Sequence, residues 1–272
     1  MFRSNKLFFI SFLICLFIGF LLLVLNKFLD GNVIWVGKLG NGGQYAEYCE
    51  LNHFSKFLRQ PMNSYSNLAF LFFGISVVGL GISDYRIKNT GNPLFGFPAF
   101  SILQGIYFCY LFLGSTYYHA SLTWTAQRVD MNATYALTLG LLGYAVYRNS
   151  LSFIKQEKNL QIVVITALLV LNYLFVYIHL IISSTILLPF LFGLVGIQIA
   201  FFLYKNTKKF NTNFLILSIV SMIIAIVVRT LDVKKIGCDP LSIFQGHALW
   251  HLLTGMGGYF MYLFYRSEKS FK

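Results

Sequence analysis

Charge is scarce in this chain. Asp, Glu, Lys and Arg supply 11% of its 272 residues against 57% hydrophobic, and the mean hydropathy is +0.68. That balance excludes a soluble domain of this size and leaves the membrane class. Acidic residues are scarcest, 9 against 21 Lys and Arg, for a net charge of +12. The excess does not indicate nucleic acid, because the basic residues fall in the breaks between apolar runs and form no basic face. Cysteine is also sparse. Cys15, Cys49, Cys109 and Cys238 are too few and too dispersed for a disulfide scaffold or a Cys-based zinc ribbon. No internal repeat of fixed period is visible.

What the chain has instead is apolar runs along its whole length. Eight stretches, at 7–26, 65–83, 97–118, 131–147, 160–180, 184–204, 213–229 and 243–265, each come near the ~20 residues needed to cross hydrocarbon. The fifth and sixth are nearly continuous, so the chain must turn near Ile181, Ser183 and Ser184. The fold class is therefore an all-α membrane protein, a seven-helix transmembrane bundle preceded by one N-terminal anchor. The organisation expected is an anchor over 1–30, a helical domain over 31–266 with a pre-helix loop at 31–63, and a tail at 267–272. Arg3 and Lys6 precede the first run as in a signal peptide, but the run is long and no small-x-small site follows Asn26, which favours a retained helix. With eight spans both termini share one side, which collects 13 of the 21 Lys and Arg against 8 opposite. The positive-inside rule makes that side cytoplasmic.

Ionisable residues inside a bilayer are expensive, ~2.5–3.5 kcal/mol for an Asp at a helix centre, so those near the spans need a reason. Here they cluster. GSTYYHASLTWTAQRVD closes the 97–118 stretch and sets Ser115 and His119 one turn apart on one helix face, with Asp130 just before the next helix. QGHALWHLLTG opens the last stretch and repeats the i, i+4 spacing with His247 and His251. Helix parity brings all five residues to one depth on the non-cytoplasmic side. Three imidazoles there suit a catalytic zinc with a fourth position open to water. An HxxxH pair alone is a weak signal, equally consistent with two hydrogen-bonded bundle histidines; the Ser, third His and Asp at the same depth give it weight. His179 reads as a bundle histidine and His53 as a loop residue. Asn63 and Asn67 suit hydrogen bonds to neighbouring helices.

With these residues the chain resembles the alkaline ceramidase family, within a wider superfamily of seven-helix membrane hydrolases that includes adiponectin-receptor-like proteins. The resemblance runs from Glu47 to Tyr265 through EYCELN, QPMNSYSN, GSTYYHASLTWTAQRVD, RTLDVKKIGCDP and HALWHLLTG, in that order. It implies zinc on His119, His247 and His251, completed by Ser115 and Asp130, and hydrolysis of ceramide to a sphingoid base and a fatty acid. It also implies a calcium site at Glu47, Glu50, Asn52 and Gln60. Glu47 stands there for an Asp and Gln60 for a Glu, a lost carboxylate that weakens a hard oxygen site. EYCELN reads equally well as an acidic turn capping the helix that follows. The resemblance further implies a disulfide between Cys49 and Cys238, both in loops that parity puts on the non-cytoplasmic side, where disulfides persist. Cys15 and Cys109 lie inside spans and read as packing residues.

In this reading Asp130 takes a proton from the attacking water and returns it to the leaving amine, while Ser115 hydrogen-bonds the developing oxyanion. A serine nucleophile is disfavoured, since no histidine is left to act as its base once all three bind metal. The alternatives are an adiponectin-receptor-like membrane receptor and a zinc hydrolase of another lipid ester or amide. The partners expected are a ceramide-like lipid and the bilayer, with no nucleic acid and no obligate protein partner.

Overall fold

The computed structural model describes residues 2–87, 92–206 and 210–269. Met1, Lys88, Lys208, Lys209 and residues 270–272 of the expected tail lie outside the described residues. In chain order the helices are α1 (Phe2–Phe28), α2 (Gly31–Ile34), α3 (Asn41–Tyr45), α4 (Pro61–Ser66), α5 (Leu68–Ile87), α6 (Pro98–Ser121), α7 (Trp124–Ser150), α8 (Glu157–Ile181), α9 (Ser184–Asn206), α10 (Thr212–Val233) and α11 (Gly246–Arg266). Extended pairing among the described residues amounts to two isolated bridges, Asp30 with Lys56 and Leu39 with Thr123. The expected all-α membrane bundle is therefore the observed class, and the turn expected near Ile181 separates α8 from α9.

Among the described residues, six spans are apolar and long enough to cross a membrane: α1, α4 with α5, α6, α8, α9 and α10. The long helices that fall short, α7 and α11, are the central ones. α7 packs against α6, α8 and α9, while α11 packs against α4, α5 and α10, and the two touch each other. Helices carrying Arg128, Asp130, His247 and His251 belong at the centre of a bundle, where neighbours replace lipid around the polar groups. Buried aromatic side chains fill the space between them, among them Phe108, Tyr135, Tyr144 and Tyr262. Arg266, in the last turn of α11, forms a two-pronged ion pair with Asp84 of α5 (2.5 and 3.0 Å), and Arg148 pairs with Glu268. At 1.5 Å per residue this polar end lies ~22 Å along α11 from His251.

Segment 29–60 fastens the opposite end. Arg59 is buried and donates to the carbonyls of Ser121 (2.5 Å), Gly31 and Trp35 (both 3.2 Å). The backbone N–H groups of Arg59 and Gln60 reach the carbonyls of Ala120 and His119 at 3.2 and 3.0 Å. On its other flank the segment meets the α10–α11 loop: Cys49 is bonded to Cys238 with their Cα atoms 5.7 Å apart, and Leu51 N–H donates to the Pro240 carbonyl at 3.1 Å. One loop therefore ties together the two places where histidines leave the bundle. α1 joins the same end, because Asn26 Oδ1 accepts from the Leu58 N–H at 2.8 Å and Leu22 packs with Leu58 and Ala120.

Candidate metal centre

His119 stands in the last turn of α6. The helix stops two residues later because Leu122 adopts a left-handed conformation (φ 51°), and Thr123 then caps α7, its hydroxyl accepting from the Ala126 N–H. So short a turn keeps the end of α6 and the start of α7 level. Asp130 is not before this helix, as the sequence suggested, but in its second turn. The polar run TWTAQRVD hides a helix start that a hydroxyl cap fixes seven residues earlier. Gly114 allows the close approach: a Cβ there would lie 3.2 Å from the Asp130 Cα. Ser115, on the same turn, presents its hydroxyl to the Asp130 carboxylate.

His247 occupies the first turn of α11 and His251 the second, both buried. Gly246 lets this end press on α10, since a Cβ would lie 2.8 Å from that of Asp232 and 2.9 Å from the Val228 carbonyl oxygen. His119, His247 and His251 each present one ring nitrogen to a common point, all within 4.8 Å of one another.

The hydrogen bonds decide which nitrogens these are. Gln60 Oε1 can only accept, so at 2.7 Å it takes a proton from His119 Nδ1 and leaves Nε2 bare. Ser66 gives its single proton to the Asn63 carbonyl (2.9 Å), so at 2.8 Å its oxygen accepts from His251 Nδ1. His247 points Nε2 at His119 Nε2, 3.2 Å away, while its Nδ1 is buried without a partner and its ring stacks on Tyr48 at 3.8 Å.

With its proton on Nε2, His247 donates to the bare His119 Nε2 across this contact; with its proton on Nδ1, both Nε2 lone pairs face the pocket and a cation suits the space between them. Two nitrogens tetrahedrally bound at 2.0–2.1 Å sit about 3.4 Å apart, close to the separation seen. Outward Nδ1–H groups held by an amide and a hydroxyl are the support that metal-binding histidines use. The residues fit a zinc ion.

The four residues of the expected calcium site behave differently. Glu50 caps α4, its two carboxylate oxygens accepting from the Met62 and Asn63 N–H groups at 2.6 and 2.8 Å. Burial pushes its carboxyl up to about 7 against the opposing pull of these N–H groups. Glu47 faces Arg229 at 3.9 Å. Asn52 and Gln60 bond directly to each other at 2.7 Å. These side chains are spent on protein partners and present no convergent set of free oxygens, so they do not fit a calcium ion.

Asn63 and Asn67 serve α4 itself and do not reach neighbouring helices: Asn63 Nδ2 donates to Gln60 Oε1 at 3.2 Å and Asn67 Nδ2 to the Asn63 carbonyl at 3.0 Å. His179 is buried and turned to the Phe175 carbonyl of its own helix. Sequence reasoning missed Ser66 and Tyr48 as contacts of the histidines, although both lie within the motifs singled out.

Comparison with known proteins identifies the family. The ceramidase family model matches residues 42–271. A Dictyostelium discoideum protein named "Putative alkaline ceramidase dcd3B" is 27% identical over 252 residues, covering 80% of this chain and 84% of its own length. No solved structure matches the chain. The family match covers more than half of the chain, and the chain belongs to the ceramidase family.

Proposed function

We propose that this protein is an intramembrane zinc-dependent amidase that hydrolyses ceramide to a sphingoid base and a fatty acid. The observation that carries the reading is the set of three buried imidazoles, two with Nδ1 engaged outward, in a chain of this family. A bound zinc ion supplies a Lewis acid for the amide carbonyl and a nucleophilic water at neutral pH. His119, His247 and His251 would hold it through ring nitrogens.

Asp130 is the proton carrier. Its carboxylate takes a proton from the attacking water and delivers it to the amide nitrogen as the C–N bond breaks. Ser115 Oγ donates to the oxygen that gains charge when the carbonyl becomes tetrahedral, a contribution of ~2.7–4 kcal/mol where such donors have been removed. A serine nucleophile has no base here, since each histidine that could serve it is committed to the metal. The bilayer delivers the substrate laterally, with the amide at the level of the histidine end of the bundle. The positive-inside count of 13 against 8 supports a topology with both termini in the cytoplasm and this end on the opposite face.

Product analysis tests the substrate class. Purified protein offered ceramides and phospholipids side by side should release free sphingoid base and fatty acid from the former. Release of fatty acid from glycerolipid esters alone would replace the amidase by an esterase.

A further inference from the structure

Gln60 occupies a position with two demands on it. Its carbonyl end accepts from His119 Nδ1 at 2.7 Å and from Asn63 Nδ2 at 3.2 Å. Its amide end donates to Asn52 Oδ1 at 2.7 Å, and Asn52 Nδ2 passes the chain on to the Gly42 carbonyl at 2.8 Å. The side chain is fully buried, so no water substitutes for any of these partners. Every member of the relay is used in the one sense its chemistry allows.

The resemblance gives a Glu at this position. A carboxylate would still accept from His119, but it has no proton to offer Asn52. Two oxygens would then confront each other at the separation the amide now spans with an N–H. Only a cation between them, or their parting, resolves that contact. Glu50, a carboxylate of the expected calcium site, is turned to the α4 N-terminus.

We infer that Gln60 is the positioning residue of His119, and that its amide N–H takes the place a calcium ion would hold beside a carboxylate, so that this protein assembles its metal centre without calcium. The inference rests on the three histidines being the zinc ligands.

The test uses the purified full chain in detergent as wild type, Gln60→Ala and Gln60→Glu. Zinc affinity is read by chelator competition and stability by the thermal midpoint, each in calcium-free buffer and with calcium added. The wild-type midpoint and zinc affinity should be the same in both conditions. Gln60→Ala should bind zinc roughly 10- to 100-fold more weakly, with no gain from calcium. Gln60→Glu should be weakened in calcium-free buffer and recover both readouts when calcium is added, a rescue that mere loss of packing does not give. A wild-type midpoint that rises with calcium overturns the inference. So does Gln60→Ala holding zinc as tightly as wild type, or Gln60→Glu indifferent to calcium. Wild type that binds no zinc at all would instead sink the reading of the histidines, which keeps the two failures apart.

Discussion

Ser66→Ala is the sharpest probe of how the centre is held, because Ser66 touches no substrate in the account above. Its hydroxyl bridges the Asn63 carbonyl (2.9 Å) and His251 Nδ1 (2.8 Å). Alanine removes that bridge and takes from His251 Nδ1 its side-chain partner in a buried site. A buried donor without a partner costs about 1–3 kcal/mol. Loss of a supporting hydrogen bond to a metal-binding histidine costs about 10- to 100-fold in metal affinity, which is ~1.4–2.8 kcal/mol and so the same magnitude reached independently. Zinc affinity of the purified variant, measured against a competing chelator, should fall within that range while the helix content stays native. The turnover of fully zinc-loaded Ser66→Ala should be close to that of wild type, because the proton carrier and the oxyanion donor are untouched. An unchanged zinc affinity would refute the tautomer assignment of His251 and with it the argument that Nε2 faces the metal.

Asp130→Asn keeps the shape of the site and removes the proton carrier. It should retain zinc and lose turnover by about 10²–10⁴-fold; loss of zinc as well, by metal analysis, would make Asp130 a ligand. The Cys49–Cys238 bond closes 189 residues, worth several kcal/mol in a chain-entropy account and less in a bilayer that already confines the unfolded chain. Reductant should therefore lower the thermal midpoint, and peptides alkylated without reductant should lack label at both positions. Full labelling of Cys49 and Cys238 would show the bond absent and weaken the assignment of both loops to the non-cytoplasmic side.

The sequence reveals the bundle because a span of about 20 apolar residues has few other uses, and it reveals the α8–α9 turn because 45 residues cannot be one span. His247 and His251 stand out for a similar reason, as imidazoles at i, i+4 spacing against a background with so little charge, and His119 stands out through its Ser115 partner at the same spacing. What escapes is local hydrogen bonding. The start of α7 is polar, so hydropathy placed Asp130 ahead of a helix that a threonine cap begins seven residues earlier. The break at Asn67 between α4 and α5, which brings Ser66 to His251, lies inside an expected span with no apolar signature. Glu50 and Gln60 illustrate the harder case. Composition marks both as oxygen donors, but only the fold shows that one has a helix end to cap and the other an imidazole to orient. The short helices α2 and α3 are glycine-rich and held by loop contacts, such as the Asp30 carboxylate accepting from the Asn32 N–H at 2.8 Å, which periodicity over so few residues does not reveal.

The central claim is that the three histidines hold a zinc ion on which ceramide hydrolysis depends. It is tested most directly by stripping the purified protein with a chelator and following free sphingoid base from a ceramide before and after zinc is returned, alongside His247→Ala and His251→Ala. Wild type should lose turnover with its metal and recover it with zinc, and both variants should lose zinc and turnover together. Full hydrolysis by metal-free wild type, or by either variant, would contradict it.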